Sequence, residues 1–336
     1  MTSIRSDYSE NFEEMGGYFG LELPDHGDAF PDAIKFQSGR AALRAVIECA
    51  GIKKVIIPAY TCDSVIHAVV DSGGKVDTYF LDDSMYPQNI PSKLPPNHAF
   101  LYVNYFGLCQ RNVDRLLKKI PSQQLIIDNC QALFALSQNA LATIYSPRKY
   151  LGVPDGGFLV TSSLDINDNI SEDTGSIERM RHLLLRMAYK ADSGYVHYQK
   201  SENSFVNTAP LRMSRLAKRI LNSIDMMAVK QKRRENFLIL ATRLDKFNQY
   251  SWELNDIAVP LCYPLIIGRN VEELKRILAK KRIYIPTYWP DAQTRILPDG
   301  IEYRLINRCL AVPCDQRYSP SQMLSLADQI IALINK

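Results

Sequence analysis

The sequence predicts an α/β protein with a mostly parallel sheet. Short apolar runs recur through the first half of the chain, at KVIIPAY, KVDTYFL, AFLYVNY, QLIIDN, LATIYS and GGFLVTS. Segments with apolar residues at helical spacing separate the first four runs, and strand–helix–strand units of this kind are typical of parallel sheets. The early gaps contain no Asn-Gly or Asp-Gly turn, which disfavours the alternative of an antiparallel β protein.

Each element of the first half follows from its local pattern. The run near 54 predicts the first strand, and Val65, Ala68 and Val69 predict the helix after it. Strands are predicted near 75 and 99, followed by a helix through 113–120 and strands near 124, 141 and 156. These runs are apolar along most of their length, as expected where helices cover both faces of a sheet.

The second half divides into an insertion, a long helix and a tail. The sequence from about 166 to 208 is polar around one apolar helix near 178–189, which is typical of inserted or lid segments. Apolar residues recur every three or four positions after about 211, so a single long helix is predicted to about 245. In the tail, Asn270 with Glu273 predicts one helix start, and Ser319-Pro320 predicts the last. We therefore expect a large domain over 1–245 and a small C-terminal α/β domain over 246–336.

Composition and charge exclude several classes of protein. Hydrophobic residues make up 46% of the 336 residues, which is enough to fill two cores and excludes disorder and fibrous structure. The 40 Lys and Arg residues exceed the 36 Asp and Glu residues only slightly, and the chain offers neither a nucleic-acid signature nor an apolar stretch of membrane-spanning length. The first residues do not have the pattern of a signal or transit peptide, so we expect a cytoplasmic protein.

Metal and nicotinamide chemistry find no support in the sequence. The seven cysteines are scattered and form no CxxC pair, so free thiols are expected. The five histidines show no metal-ligand spacing. The glycine pairs at 16 and 73 lack the spacing of a dinucleotide fingerprint.

Two motifs with small residues stand at predicted strand ends, where open α/β sheets bind their ligands. Ser38-Gly39-Arg40 opens a helix whose free N–H groups suit a phosphate, although an ordinary helix start has the same pattern. Pro58-Ala59-Tyr60-Thr61-Cys62 marks the point where a strand turns into a helix, and this turn could lie along a flat cofactor.

Two further motifs carry titratable groups. Asp128 and Gln131 follow the strand QLII, where a carboxylate either holds a cationic ring nitrogen or caps a helix. Lys149 lies in a turn between two predicted strands and precedes Asp155-Gly156-Gly157. A Schiff-base lysine must be held in such a fixed place, whereas most lysines are solvated surface charges.

The order of these four motifs resembles the DegT-type family of pyridoxal-phosphate sugar aminotransferases, which has the aspartate-aminotransferase fold, fold type I. The similarity covers most of the chain, from about 15 to 335. It includes the stretches Tyr105-Phe106-Gly107, Asn112-Val113-Asp114, Arg212-Met213-Ser214 and Leu310-Ala311-Val312-Pro313.

The resemblance implies a role for each motif residue. Lys149 would bind pyridoxal 5′-phosphate as the Schiff-base lysine and then act as the base that moves a proton. Asp128 would pair with the pyridine nitrogen and Gln131 with the phenolic oxygen of the cofactor. The turn Ser38-Gly39-Arg40 would hold the phosphate, mainly through N–H groups.

The resemblance also implies substrates and a quaternary state. It predicts an aminotransferase that moves an amino group from an amino acid, with glutamate as the expected donor, to a keto sugar that is expected to be nucleotide-linked. Members of the family form homodimers, and a homodimer is therefore expected here.

Four positions depart from the family pattern. Ile144 stands where relatives often carry serine, and Pro210 where they carry an asparagine that reaches the phosphate of the partner subunit. Arg40 replaces a common threonine, and Cys62 replaces the aromatic residue over the cofactor. Two alternatives therefore stay open: another reaction on the same cofactor, such as dehydration, and a non-catalytic cofactor-binding paralogue.

A basic run, Lys230, Lys232, Arg233 and Arg234, lies near the end of the predicted long helix. The run is interpreted as a solvated helix face, with phosphates of a nucleotide-linked substrate as the alternative.

Overall fold

A computed structural model describes residues 15–206 and 208–335 of the chain. Nine strands are present in these ranges: β1 Ile34–Phe36, β2 Lys54–Pro58, β3 Lys75–Tyr79, β4 His98–Val103, β5 Leu125–Asn129, β6 Ala142–Tyr145, β7 Gly157–Val160, β8 Tyr263–Ile266 and β9 Cys309–Val312. The first seven form one sheet in the order β1-β7-β6-β5-β4-β2-β3.

The large sheet is parallel except at one strand. Strands β3, β2, β4, β5 and β6 pair in parallel, whereas β7 is antiparallel to both β6 and β1. This arrangement confirms the predicted fold class, and β2 to β7 coincide with the six predicted apolar runs. The sequence pattern missed β1, because a three-residue strand is too short to show a period.

Eleven helices lie in the described part of the chain. They are α1 Gly39–Cys49, α2 Asp63–Asp71, α3 Gln110–Leu117, α4 Ser176–Arg179, α5 Arg181–Ala188, α6 Ala191–Asn203, α7 Arg215–Asn222, α8 Met226–Leu244, α9 Glu272–Lys280, α10 Ile301–Asn307 and α11 Pro320–Ile334. Helices α1, α2 and α3 bury apolar faces against the sheet, as their spacing predicts.

The structure corrects the prediction for the second half in two places. The predicted single long helix is two helices, α7 and α8. Helix α7 ends at Asn222, and Asp225 caps α8 by accepting the Ala228 N–H at 2.9 Å. The insertion contains three helices rather than one, and its last helix, α6, is too polar to show an apolar stripe. Helices α5 and α6 pack against each other as a hairpin.

The tail forms a small two-stranded sheet with helices around it. Strands β8 and β9 pair antiparallel, and α11 packs on α8. The predicted helix start at Ser319 is confirmed, with reciprocal bonds between Ser319 and Gln322. At the other predicted start, Asn270 accepts the Glu272 N–H at 2.8 Å, and the helix begins at Glu272.

Candidate active site

All four sequence motifs lie at one edge of the large sheet. Strands β1, β2, β5 and β6 run in the same direction, because β1 and β6 are each antiparallel to β7. Each of them ends immediately before or within one motif. The carboxyl ends of parallel strands therefore gather these residues where α/β proteins bind their ligands.

The Ser38 turn is built around close backbone approach. The Ser38 hydroxyl caps α1 by accepting the Ala41 N–H at 3.1 Å. A Cβ atom on Gly39 would lie 2.9 Å from Cys130 Sγ, and one on Gly157 would lie 2.1 Å from the Ser38 carbonyl carbon. Glycine at 39 and 157 therefore lets the turn touch both neighbouring motifs, and the amino end of α1 presents its first N–H groups there.

The Asp128 motif combines burial with unpartnered amide groups, on Asn129 as well as on Gln131. Asp128 is 7% exposed, and its Oδ1 accepts the Cys130 N–H at 2.8 Å. Gln131 is fully buried; its Oε1 accepts the Phe106 N–H at 2.9 Å, and its Nε2 has no hydrogen-bond partner among the described residues. A buried amide donor without a partner is costly in a folded protein and is typical of a site that a ligand completes.

Cys130 is close enough to Asp128 and Lys149 for both to affect its thiol. Burial, followed by the Asp128 carboxylate, raises the pKa of the Cys130 thiol well above its ordinary value, and Lys149 acts in the opposite direction. Cys130 therefore stays a neutral thiol.

Lys149 ends a short 3₁₀ turn, Pro147–Lys149, that follows β6. Its side chain is exposed, and no carboxylate of the described residues lies within ion-pair distance. Its Nζ lies over the ring of Trp289, 5.6 Å from the centroid. The turn thus places the Lys149 amine near the end of β6, and no carboxylate of the described residues forms an ion pair with it.

The Arg40 side chain points toward the end of the insertion. Its Nη1 donates to the Phe205 carbonyl at 3.0 Å, and its Nε is buried without a partner. The alternative to Arg40 as phosphate ligand is an asparagine from the 200–208 segment of a second subunit, Asn203 or Asn207. Asn203 is exposed at the end of α6, and Asn207 lies outside the described residues. Whether Arg40 reaches a phosphate remains a prediction.

Cys62 and Ile144 are two further positions at which the chain departs from the family pattern. Cys62 is half-buried at the start of α2, and its Sγ accepts the Ser64 hydroxyl at 3.1 Å. Ile144 is buried opposite Asp128 in the sheet register, with its methyl group in the space around Gly39. A hydrophobic side chain thus fills a position where relatives have a hydroxyl.

Asp155 ties the lysine loop to the Arg-Met-Ser stretch. The carboxylate is fully buried and accepts the Ser214 hydroxyl at 2.7 Å and the Ser214 N–H at 3.2 Å. Burial raises the pKa of Asp155, and the hydrogen bonds from Ser176 and Ser214 oppose the shift. This bond network holds the loop after Lys149 against the start of α7.

The basic run on α8 is only partly a solvated face. Arg233 is 2% exposed and donates to the Tyr150 carbonyl at 3.1 Å and to Gln316 Oε1 at 2.9 Å. The interpretation as a solvated face is therefore wrong for Arg233. Its spacing from Met226, Val229 and Leu240 on the buried side of α8 was the signal in the sequence.

Sequence reasoning also missed Trp289 and Arg295. Both come from the tail, more than 130 residues after Lys149, and no local pattern marks them. Arg295 Nε donates to the Ala59 carbonyl at 2.8 Å and Nη1 to Asp63 at 2.6 Å, so it joins the tail to the turn that contains Cys62.

Other kinds of site find no support in residues 15–206 and 208–335. No cluster of three potential metal ligands occurs there, all seven cysteines are free, and no helix is both long and apolar enough to cross a membrane. A surface cleft of about 610 Å³ lies between Phe30, Lys35 and Arg212 and contains no residue of the four motifs.

Comparison with known proteins gives matches only at the level of structure. No family model matches the sequence, and no curated protein matches it. The sugar aminotransferase CalS13 from Micromonospora echinospora is 15% identical, with 89% of this chain and 87% of that chain covered and a TM-score of 0.59.

Two further solved structures give the same picture. A DegT DnrJ EryC1 StrS aminotransferase from Brucella abortus is 17% identical, with 90% of this chain and 86% of that chain covered and a TM-score of 0.61. NtdA from Bacillus subtilis, solved with bound cofactor PMP, is 16% identical, with 90% and 73% covered and a TM-score of 0.61. The chain therefore has the fold type I architecture of these aminotransferases, as its motifs predicted.

Proposed function

We propose that the protein is a pyridoxal-phosphate-dependent aminotransferase that moves an amino group from an amino acid, with glutamate as the expected donor, to a keto sugar, expected to be nucleotide-linked. The observation that carries the proposal is the convergence of Lys149, Asp128 and the unpartnered Gln131 amide at the amino end of α1. The description of CalS13 as a sugar aminotransferase supports a sugar acceptor.

The described residues fit the cofactor chemically. Gln131 Nε2 is a buried donor that needs an acceptor, and a phenolic oxygen is one. Asp128 is a buried carboxylate whose charge suits a protonated ring nitrogen. The glycine-walled turn at 38–39 leaves backbone N–H groups for a phosphate at the positive end of the helix.

Each residue then has a distinct task. When bound, the cofactor supplies an electron sink for the carbon that loses a proton. Asp128 would keep the ring nitrogen protonated, and Gln131 would fix the ring orientation. Lys149 would hold the cofactor through Nζ and, once the substrate amine had displaced it, the freed amine would take and return the proton. No carboxylate of the described residues pairs with Lys149.

A homodimer forms part of the proposal. Tyr18 is 98% exposed and Phe19 92% exposed at the start of the described chain, and Met187 is 80% exposed on the α5–α6 hairpin. Neighbouring large apolar side chains at such exposure are typical of an interface with another chain.

The first experiment follows the cofactor spectrum. Purified protein with pyridoxal phosphate should convert to the pyridoxamine form when L-glutamate is added. A cofactor that binds but shows no conversion over hours would favour the non-catalytic paralogue.

The second experiment locates the lysine. Borohydride reduction should fix the cofactor on the peptide that contains Lys149, and Lys149→Ala should abolish the yellow colour without unfolding the protein. Lys190→Ala, which removes an exposed lysine at the start of α6, is the matched control and should leave the colour unchanged. Label on any other lysine would refute the assignment.

A further inference from the structure

Trp289 has a backbone conformation that a bulky residue avoids. Its φ of 50° and ψ of 56° lie in the left-handed region, and it immediately precedes Pro290. Such a conformation is costly for a bulky side chain and persists only where the surrounding structure imposes it. The residues around Trp289 must therefore hold it in this conformation.

The indole is oriented toward Lys149. Its aromatic neighbours meet it at steep angles: Tyr60 at 4.9 Å and 65°, and Tyr105 at 5.9 Å and 68°. Neither ring stacks on it in parallel, whereas the Lys149 Nζ lies over the ring at 5.6 Å. Trp289 is 8% exposed, so its neighbours leave it little freedom to turn. The strained backbone therefore presents the ring to the reactive amine.

Arg295 fixes the segment that carries Trp289. Besides its bonds to Ala59 and Asp63, its Nη2 donates to the Thr61 carbonyl, so one guanidinium group binds three acceptors in the 59–63 turn. The Tyr60 hydroxyl adds a bond to the Tyr288 carbonyl at 3.3 Å. A planar group with several donors suits this task better than an ammonium group, because its donors are fixed relative to one another.

We propose that Trp289 confines Lys149 at the reacting centre and that Arg295 is the positioning residue that holds Trp289 there. The proposal rests on the proposed function, since it assigns these residues to the site that Lys149 serves. The tail thereby contributes to the amine's surroundings, and its attachment to the 59–63 turn affects the rate at which Lys149 moves a proton.

The first test measures position rather than activity. The chain has two tryptophans, Trp252 and Trp289, so Trp252→Phe leaves Trp289 as the sole emitter. Trp289 is 8% exposed, so its emission maximum reports how far the ring is shielded from water. Arg295→Ala in this background should shift the maximum to longer wavelength, and Arg295→Lys should shift it less. Arg276→Ala, which removes an exposed arginine of α9, is the matched control and should leave the maximum unchanged.

The second test asks whether Arg295 acts through Trp289. Trp289→Ala and Arg295→Ala should each slow the glutamate-driven conversion about three- to ten-fold, the range expected for an aromatic contact, with little change in KM. The double variant should be no slower than the slower single variant, because the arginine has no ring left to hold. Trp289→Phe should restore most of the rate.

The outcomes separate this proposal from the proposed function. An unchanged emission maximum in Arg295→Ala, or rate losses that multiply in the double variant, would overturn the role of Arg295. If the wild type binds no cofactor, or binds it but does not react with glutamate, the proposed function fails. The emission maximum still decides whether Arg295 holds Trp289, because that measurement needs no cofactor.

Discussion

Gly157→Ala tests whether the contact between the Ser38 turn and the lysine loop builds the site. Gly157 opens β7 and pairs with Phe36 of β1. A Cβ atom there would lie 2.1 and 2.2 Å from the Ser38 carbonyl carbon and oxygen and 2.4 Å from the Gly39 nitrogen. All three are backbone atoms, so no side-chain rotation relieves the clash. Either the β1–β7 pairing or the turn must move.

The magnitude follows from the number and type of clashing atoms. Overpacking costs about 1–3 kcal/mol, and three backbone contacts put this site at the upper end of that range. The reduced freedom of the unfolded chain returns about 0.4–1 kcal/mol. We therefore expect the free energy of unfolding to fall by about 2 kcal/mol. The affinity for pyridoxal phosphate should fall as well, because the phosphate turn is one of the two parts that can shift.

The assay combines urea unfolding with cofactor titration by absorbance. Gly152→Ala is the matched control, because Gly152 is in the same loop and its added Cβ would meet only Leu183 Cδ2 at 3.8 Å, an ordinary contact. If Gly157→Ala unfolds within about 0.5 kcal/mol of Gly152→Ala, the usual range for a neutral substitution, and binds cofactor equally well, then the close approach does not shape the site and our reasoning is wrong.

Four further predictions concern charge, packing and pH. Asp128→Asn should keep cofactor binding but slow glutamate-driven conversion about 10²- to 10⁴-fold; near wild-type turnover would leave Asp128 only a local turn-capping role. Arg40→Ala should weaken cofactor binding by about 1.5–3 kcal/mol if the side chain reaches the phosphate, and an unchanged dissociation constant would show that it serves only the Phe205 carbonyl. Gly39→Ala should destabilise the protein, and adding Cys130→Ala should restore stability by removing the sulfur atom 2.9 Å away; urea unfolding of the double variant tests this, and additive losses would contradict it. Burial raises the pKa of Glu302, so its folded state holds a proton more tightly than its unfolded state, and stability falls as pH rises through the folded-state pKa. Glu302→Gln should therefore reduce the loss of stability between pH 5 and pH 8, measured by urea unfolding, and an unchanged pH dependence would exclude this carboxyl as its source.

The sequence by itself determined the elements whose residues carry a local pattern. Strands β2 and β4 to β7 are apolar runs, because both faces of the sheet are covered there, whereas the edge strand β3 is mostly exposed. The capping of α11 depends on four consecutive residues. The local pattern did not predict the break at Asp225, where one capping residue divides a long apolar stripe into α7 and α8. An apolar period persists across such a break, so periodicity alone cannot locate it.

The residues of the candidate site differ in the same way, because some carry a local pattern and others do not. Asp128, Gln131 and Lys149 could be found because each follows a predictable strand, and parallel topology then places strand ends together. Ser38 could be found from the helix start that it caps, although the strand before it, β1, could not. Trp289 and Arg295 were decided by tertiary structure alone. Their partners, Lys149 and Ala59, are more than 130 residues away in the chain. Only packing of the tail against the large sheet brings these atoms together, and no spacing within a single segment records that contact.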